Sequence, residues 1–214
     1  MDNCLRYNNI IFDFDGVLVE SLDIKEKAFY SLYKSYGEKI ATQVVKHHKS
    51  NGGMSRFDKF KFYHNCFLKK KINQSELDAL CTKFSSLVVK KVINCNEVKG
   101  ASSFLKKTFN RKKWIVSATP QDEIVNIVNG RGWKNHFLGI YGSPKNKIDI
   151  VEKIINDCNL KKQETVFLGD AKSDYKAAKF NGLDFILRQT IENFNIFKNK
   201  KTVKKFDNYI DLEI

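Results

Sequence analysis

The chain has 214 residues, of which 42% are hydrophobic and 29% charged, and its formal net charge is +14 at pH 7. This composition is typical of a soluble globular protein, and the length allows one large domain or two unequal ones. No apolar run approaches the roughly 20 residues that span a bilayer, and the first apolar run is too short for a signal peptide because Asp13 interrupts it. We therefore expect a cytoplasmic protein that does not contact membranes.

The cysteine and lysine patterns argue against two further classes: proteins stabilised by disulfides or zinc, and nucleic-acid-binding proteins. The five cysteines are scattered without a CxxC pair, which argues against a disulfide framework and against a zinc site. They are Cys4, Cys66, Cys81, Cys95 and Cys158. The lysines occur in pairs and triplets along the whole chain, a pattern typical of a solvated surface rather than of a nucleic-acid footprint. We expect no nucleic-acid partner, although a basic nucleic-acid-binding protein stays open as an alternative.

The first predicted element is a buried strand over residues 9–13, too apolar to alternate, as parallel strands usually are. Because side chains alternate along a strand, Asp13 and Asp15 would project to the same side. At the carboxyl end of a parallel strand, two carboxylates would lie in the crevice where open α/β sheets bind ligands. Gly16 then allows close approach to the main chain. Taken alone, this stretch is equally well explained as an acidic turn.

Helical periodicity follows from about Leu22 to Val92. One apolar stripe ends at Gly37, a second covers residues 77–88, and phenylalanines between them indicate a third helix. No pattern typical of a strand interrupts this segment, which we interpret as a helical insertion. Residues 47–56 are polar, basic and glycine-rich, so we predict a loop that either is a surface turn or contacts substrate, with Arg56 as a donor to an anionic or hydroxyl group.

Alternating helices and strands resume after Gly100. A helix over residues 101–109 precedes strands at 114–116, 139–142, 165–168 and 185–187, the last strand of the sheet, and the residues after Gln189 carry no interpretable pattern. Thr119 and Pro120 are predicted to start a helix as cap and first residue. The pattern predicts an α/β fold, with a parallel sheet and a small helical cap.

Candidate chemistry follows four of these strands, at Asp13 with Asp15, at Ser117, at Lys147, and at Asp170 with Asp174. If the strands are neighbours, all four ends face one crevice. Their side chains suit phosphoryl transfer: one carboxylate as nucleophile, another as general acid and base, and lysine and hydroxyl donors for the transferring oxygens. Magnesium would offset the negative charges.

These segments resemble, in order, the four motifs of the haloacid dehalogenase-like (HAD-like) hydrolases, including the phosphoglycolate phosphatase and β-phosphoglucomutase branch. The quoted segments are Asp13-Phe14-Asp15-Gly16-Val17, Ser117-Ala118-Thr119, Lys147, and Gly169-Asp170-Ala171-Lys172-Ser173-Asp174. The resemblance covers essentially the whole chain and implies a Rossmann-like three-layer core with a small all-helical C1-type cap domain inserted after the first strand. The core would comprise residues 1–20 and 97–214, and the cap residues 21–96.

The resemblance also implies a role for each motif residue. Asp13 would be the nucleophile and a Mg²⁺ ligand, and Asp15 the general acid and base with its carbonyl on the metal. Asp170 would complete the metal site, and Asp174 would act through water or from a second shell. The phosphoryl group would be bound by Ser117, by Ala118 through its amide, by Lys147 and at Gly16. Lys145 competes with Lys147 for its role, and Lys172 has none that we can assign.

An acid at Asp15 favours a phosphatase or phosphomutase, because an alkoxide leaving group needs a proton there. We expect a phosphatase for a small phosphomonoester, namely a sugar, polyol or amino-alcohol phosphate, working as a monomer or homodimer. A sugar phosphomutase is the alternative, and a nucleic-acid-binding protein with a vestigial site is less favoured. The substrate would be chosen by cap residues, with Glu20 at the hinge. These candidates are Arg56, Lys59, Asn51, His48 and Glu20.

Overall fold

The computed structural model describes residues 7–214, so the expectations about the first six residues, Cys4 included, lie outside the described part. A six-stranded parallel sheet organises the fold. Its strands are β1 (Asn9–Phe12), β2 (Lys112–Pro120), β3 (Gly139–Ser143), β4 (Thr165–Gly169), β5 (Asp184–Arg188) and β6 (Lys204–Phe206). Their order is β3-β2-β1-β4-β5-β6, which puts β1 between β2 and β4.

Helices connect the strands and cover both faces of the sheet. They are α1 (Leu22–Tyr33), α2 (Glu38–Ser50), α3 (Arg56–Phe62), α4 (Gln74–Asn94), α5 (Ala101–Lys107), α6 (Gln121–Gly130), α7 (Lys147–Asp157), α8 (Lys172–Phe180) and α9 (Phe194–Phe197). A π-helical turn, Tyr63–Phe67, extends α3, and 3-10 turns occupy Lys34–Tyr36, Lys134–His136 and Lys162–Glu164. Within residues 7–214, no helix has both the length and the apolar character needed to cross a membrane.

The side chains of β1 belong to two separate cores because successive residues of a strand point to opposite faces. Ile10 and Phe12 join a core that includes residues of α5 and α6, whereas Ile11 joins one built on α7 and α8. All three side chains are fully buried. The sheet therefore lies between two helical layers, and the predicted Rossmann-like three-layer α/β fold is confirmed.

The helices α1 to α4 pack around one another, and their buried residues belong to the same hydrophobic core as Ile10 and Phe12 of the sheet. Aromatic rings dominate the helical part of this core: Phe29 lies 4.4 Å from Phe84 and 5.6 Å from Phe60, ring centroid to centroid. The chain enters and leaves this region side by side, since the amide of Val98 donates to the carbonyl of Leu18 at 2.9 Å. A helical insertion after the first strand is thus present, while its predicted limits as a domain, residues 21–96, stay a prediction.

Three local predictions differ from the structure. The predicted loop over residues 47–56 is shorter, because α2, a helix that was not predicted from the sequence, continues to Ser50, and α3 begins at Arg56. Pro120 ends β2, and α6 begins one residue later without a side-chain cap, so Thr119 is free for another role. A further strand, β6, pairs with β5 at the sheet edge. The hydrophobic pattern of β6 in the sequence is weak because only one of its three residues is buried.

Candidate active site

The sheet order brings the predicted site residues together. Strand β1 pairs with β2 and β4 as its two neighbours, so Asp13 after β1, Ser117 near the end of β2 and Asp170 after β4 reach the same edge of the sheet. The amide of Asp13 continues the ladder by donating to the carbonyl of Leu168 at 2.9 Å. The nucleophile predicted from sequence is therefore fixed at its backbone by the strand that leads to Asp170.

Lys147 connects two of the acidic side chains. It is the first residue of α7, and its Nζ lies 2.8 Å from Oδ1 of Asp13 and 2.7 Å from Oδ1 of Asp174, with all three side chains buried. Burial opposes its charged form, but the two carboxylates outweigh burial and raise the pKa of Lys147. Lys145 is exposed. The structure thus brings Lys147, of the two candidates, to the site.

Asp13, Asp170 and Asp174 each offer one oxygen to a cluster in which these atoms lie within 4.8 Å of one another. Burial, followed by the charge of Asp174, raises the pKa of Asp13 to about 7, and burial with the charge of Asp13 raises that of Asp170 well above its usual value. Three crowded carboxylates against one lysine are short of positive charge. An oxygen-only cluster of this kind fits a hard divalent cation such as Mg²⁺.

Asp15 has a different environment from Asp13. Its carboxylate accepts from Ser21 Oγ at 2.6 Å and from Thr119 Oγ1 at 2.9 Å, and it pairs with Lys25 Nζ at 2.5 Å. Burial favours the neutral acid, but the charge and hydrogen bond of Lys25, with the two hydroxyl donors, outweigh burial and lower the pKa of Asp15. The two carboxylates, two residues apart in the sequence, are therefore held in opposite electrostatic environments.

The predicted phosphoryl-binding segment follows Asp15 closely in space. Ser117 is buried and its Oγ accepts from the amide of Thr119 at 3.1 Å, while Ala118 and Thr119 line a small cavity with Asp13 and Asp15. Gly16 has φ of +75°, and a side chain there would collide with the carboxylate of Asp170. Glycine is required at this position both by its backbone and by the close approach of Asp170.

The comparisons with known proteins agree with this geometry. The model of the haloacid dehalogenase-like hydrolases matches residues 10–188, which include all four motifs. The chain belongs to this family. The resemblance inferred from the sequence is thereby confirmed. No curated protein sequence gives a significant match.

Solved structures of this hydrolase fold cover nearly the whole chain at low identity. β-Phosphoglucomutase from Clostridium difficile is 22% identical, with a TM-score of 0.77 over 97% of this chain and 94% of the other. A predicted phosphoglycolate phosphatase from Haemophilus somnus 129PT is 17% identical, with a TM-score of 0.74 over 96% of each chain. A mutant CbbY from Rhodobacter sphaeroides in complex with xylulose-(1,5)bisphosphate is 15% identical, with a TM-score of 0.73 over 96% of each chain.

The helical insertion of this hydrolase lines one side of the small cavity, whose volume is about 50 Å³. The loop between α2 and α3 forms one wall of this cavity through Gly52, Gly53 and Met54. This loop rests on the start of α8, because a side chain at Gly53 would overlap the hydroxyl of Ser173. The loop predicted to contact substrate therefore faces the motif aspartates directly.

Three of the predicted cap residues line this cavity: Arg56, Lys59 and His48. The guanidinium of Arg56 binds both oxygens of Glu123 on α6, at 2.8 and 2.6 Å, and lies 4.6 Å from the ring centroid of Phe84. Nζ of Lys59 lies 2.8 Å from Nδ1 of His48. Arg56 thus holds the insertion against the sheet domain, while Lys59 and His48 pair with each other inside the cavity.

Glu20 and Asn51 do not line the small cavity. Both line a larger cavity of about 780 Å³ that also includes Asp170, Lys172 and Arg188. Glu20, whose side chain is 44% exposed, accepts from the guanidinium of Arg188 at 3.0 and 2.6 Å, and Arg188 also donates to the carbonyl of Gly16 at 2.9 Å. The structure does not place these two candidates in the small cavity with Asp13 and Asp15.

Two residues of the site were not predicted from the sequence. Lys25 reaches from α1 to both Asp15 and Thr119, with Nζ 2.9 Å from the threonine hydroxyl. A cation near the start of a helix interacts unfavourably with the helix dipole. Lys25 is the fourth residue of α1, the first helix after the first motif. That position was the available signal. Thr119 was assigned to capping because Pro120 follows it.

Proposed function

We propose that the chain is a magnesium-dependent phosphatase that hydrolyses a small phosphomonoester through an aspartyl-phosphate on Asp13. Residues 21–96 would form its cap domain and residues 1–20 with 97–214 its core. The observation that carries the proposal is the pairing of Asp13 with Lys147 at 2.8 Å inside the acidic cluster, while Asp15, two residues further along the chain, has hydrogen-bond partners of its own.

The cluster would hold the cation through Asp13, Asp170 and Asp174, together with the main-chain carbonyl of Asp15. When bound, Mg²⁺ supplies positive charge that offsets repulsion between the carboxylates and an incoming phosphate. Asp174 is oriented for this purpose, since its Oδ2 accepts from the amides of Asp170 and Ala171 at 3.2 and 2.9 Å. Lys147 keeps Asp13 oriented by its ion pair.

In the first half-reaction, a carboxylate oxygen of Asp13 attacks phosphorus and the bond from phosphorus to the ester oxygen breaks. Asp15 gives its proton to that departing oxygen. Lys25 holds Asp15 ionised in the free enzyme, and an arriving phosphate anion opposes this effect because nearby like charge favours the protonated acid. In the second half, Asp15 takes a proton from water as the water oxygen attacks phosphorus, which releases phosphate and restores Asp13.

The size and neighbours of the site support a small substrate. The cavity at Asp13 is small, about 50 Å³, and a solved structure of similar fold is in complex with a sugar bisphosphate. Sugar and polyol phosphates and amino-alcohol phosphates are the classes suggested by polar cap residues. The likeness to β-phosphoglucomutase favours a sugar phosphomutase as the second candidate.

The test is a phosphate-release assay on a panel of metabolite phosphates, with Mg²⁺ and with a chelator. We expect turnover that needs Mg²⁺ and that Asp13→Asn abolishes while the variant keeps the fold by circular dichroism. Asp122→Asn, an exposed carboxylate on α6, is the matched control and should keep its activity. Turnover by Asp13→Asn would contradict the proposal, and a hexose phosphate converted without phosphate release would identify the mutase.

A further inference from the structure

Among the residues that the structure describes, no carboxylate pairs with the buried cation of Lys59. Its exposure is 2%, and its Nζ meets Nδ1 of His48 at 2.8 Å and lies 5.6 Å from the ring centroid of Phe29. The cavity contains two other cations, and both have carboxylates: Lys25 pairs with Asp15, and Arg56 with Glu123. In the described part of the chain, no carboxylate comes within ion-pair distance of Lys59.

The surroundings of Lys59 make this arrangement unfavourable unless a ligand completes it. Burial, and then the charge of Lys25, lower the pKa of Lys59 to about 7. Burial and the charge of Lys59 hold the pKa of His48 well below its usual value, so His48 is a neutral acceptor. The carboxylate of Asp15 acts against this lowering, but it is already paired with Lys25. The groups in contact with Lys59, His48 and Phe29, are neutral, so its buried charge is costly. The cavity is therefore short of one negative charge on its cap side.

The missing charge belongs to the cavity that also contains the predicted catalytic carboxylates. Lys59 lines the same small cavity as Asp13 and Asp15, and His48 beside it comes from a different helix of the insertion. Phe29 and Phe84 supply apolar walls between the cap side and the sheet edge. A ligand that binds here with its phosphoryl group at Asp13 thus presents its other end to Lys59.

We propose that Lys59 and His48 form a subsite for a second acidic group on the substrate, a carboxylate or another phosphate, at the end remote from the phosphoryl group that is removed. This inference rests on the proposed phosphatase function and narrows its substrate class. A phosphorylated hydroxy acid or a bisphosphate supplies the missing charge. An amino-alcohol phosphate would instead bring a further cation to the cavity, and an uncharged sugar end would leave Lys59 uncompensated.

The test compares matched pairs of esters. Each pair consists of an alkyl phosphate and its analogue with a carboxylate at the far end, with one to three methylene groups between ester oxygen and acid; a second series carries a far-end phosphate. We expect the enzyme to prefer the acid-bearing ester at least tenfold in kcat/KM for one chain length. The series that shows the preference identifies the acidic group as carboxylate or phosphate.

Two variants separate the charge of Lys59 from its shape. Lys59→Met removes charge and hydrogen bond, and Lys59→Gln keeps a donor for His48 without the charge; each should reduce the preference to less than threefold. Lys61→Met, an exposed lysine two residues along the same helix, is the control and should retain the preference. A preference that persists in both folded Lys59 variants, or equal use of both esters by the unaltered enzyme, overturns the proposal.

A binding measurement keeps the subsite testable apart from catalysis. Calorimetric titration of Asp13→Asn with both esters should show at least tenfold tighter binding of the acid-bearing one. If no ester is hydrolysed yet this difference is found, the phosphatase function fails and the subsite stands. Equal affinity for both esters, or binding of neither, overturns the subsite.

Discussion

Replacing Lys59 by methionine should change how stability depends on pH. The pKa of Lys59 is about 7 in the folded chain against an ordinary 10.5, so between these values the unfolded chain binds more protons at this group. The free energy of unfolding therefore rises with pH in that window. With 1.36 kcal/mol for each pKa unit, the contribution of Lys59 between pH 7 and pH 9 is about 2 kcal/mol.

The assay is urea unfolding of the unaltered chain and of Lys59→Met at pH 7 and pH 9. Methionine also leaves His48 without its partner, a loss of about 1–3 kcal/mol that is the same at both pH values because His48 is neutral throughout. The comparison between the two pH values removes this loss. We expect the stability difference, unaltered chain minus Lys59→Met, to rise by about 2 kcal/mol from pH 7 to pH 9.

The exposed Lys61→Met variant on the same helix provides the baseline for this comparison. It should follow the pH dependence of the unaltered chain. If Lys59→Met also follows it within about 0.5 kcal/mol, which is about the margin of additivity between independent sites, then Lys59 does not carry the buried charge described above. The reasoning from burial would then be refuted together with the electrostatic basis of the subsite.

Two further substitutions test contacts of the site. Glu123→Gln should lower the free energy of unfolding by about 3 kcal/mol, measured in urea, since it leaves the buried Arg56 without its counter-charge, whereas the exposed Glu152→Gln should change little. Gly16→Ala should lose about 1–2 kcal/mol of stability from its positive φ and also lose phosphate release at least tenfold, because the added methyl collides with Asp170. Gly132→Ala shares the positive φ but meets nothing within 4 Å, so it should lose stability alone; equal loss of activity in both variants would contradict the steric argument.

The fold and the motif residues could be predicted because their signals are local. An apolar run marks a buried strand, and a polar residue that follows the run marks a candidate for the site. This pattern located Asp13, Ser117 and Asp170. The family resemblance then supplied their roles. The same logic failed for β6, which has a single buried residue at the sheet edge, and for α2, which buries only two apolar residues, Ala41 and Val44, together with His48.

The partners of the motif residues could not be predicted, because they come from distant parts of the chain. Lys25 and Thr119, which together surround Asp15, are separated by 94 residues in the sequence, and Arg56 and Glu123 by 67. No periodicity or spacing relates such positions. The sequence indicated that Arg56 and Lys59 were available to a ligand. Only the fold shows that Glu123 already neutralises Arg56, whereas no carboxylate within residues 7–214 pairs with Lys59.

The position of β1 in the sheet bears on how the protein is made. Its register partners begin at Lys112 on one side and Thr165 on the other, so β1 finds both neighbours only after three quarters of the chain has left the ribosome. Pairings of such long range close slowly and late. We expect the aspartate cluster to assemble in a single late step, so nascent or truncated chains that lack β4 would hold no partly active enzyme.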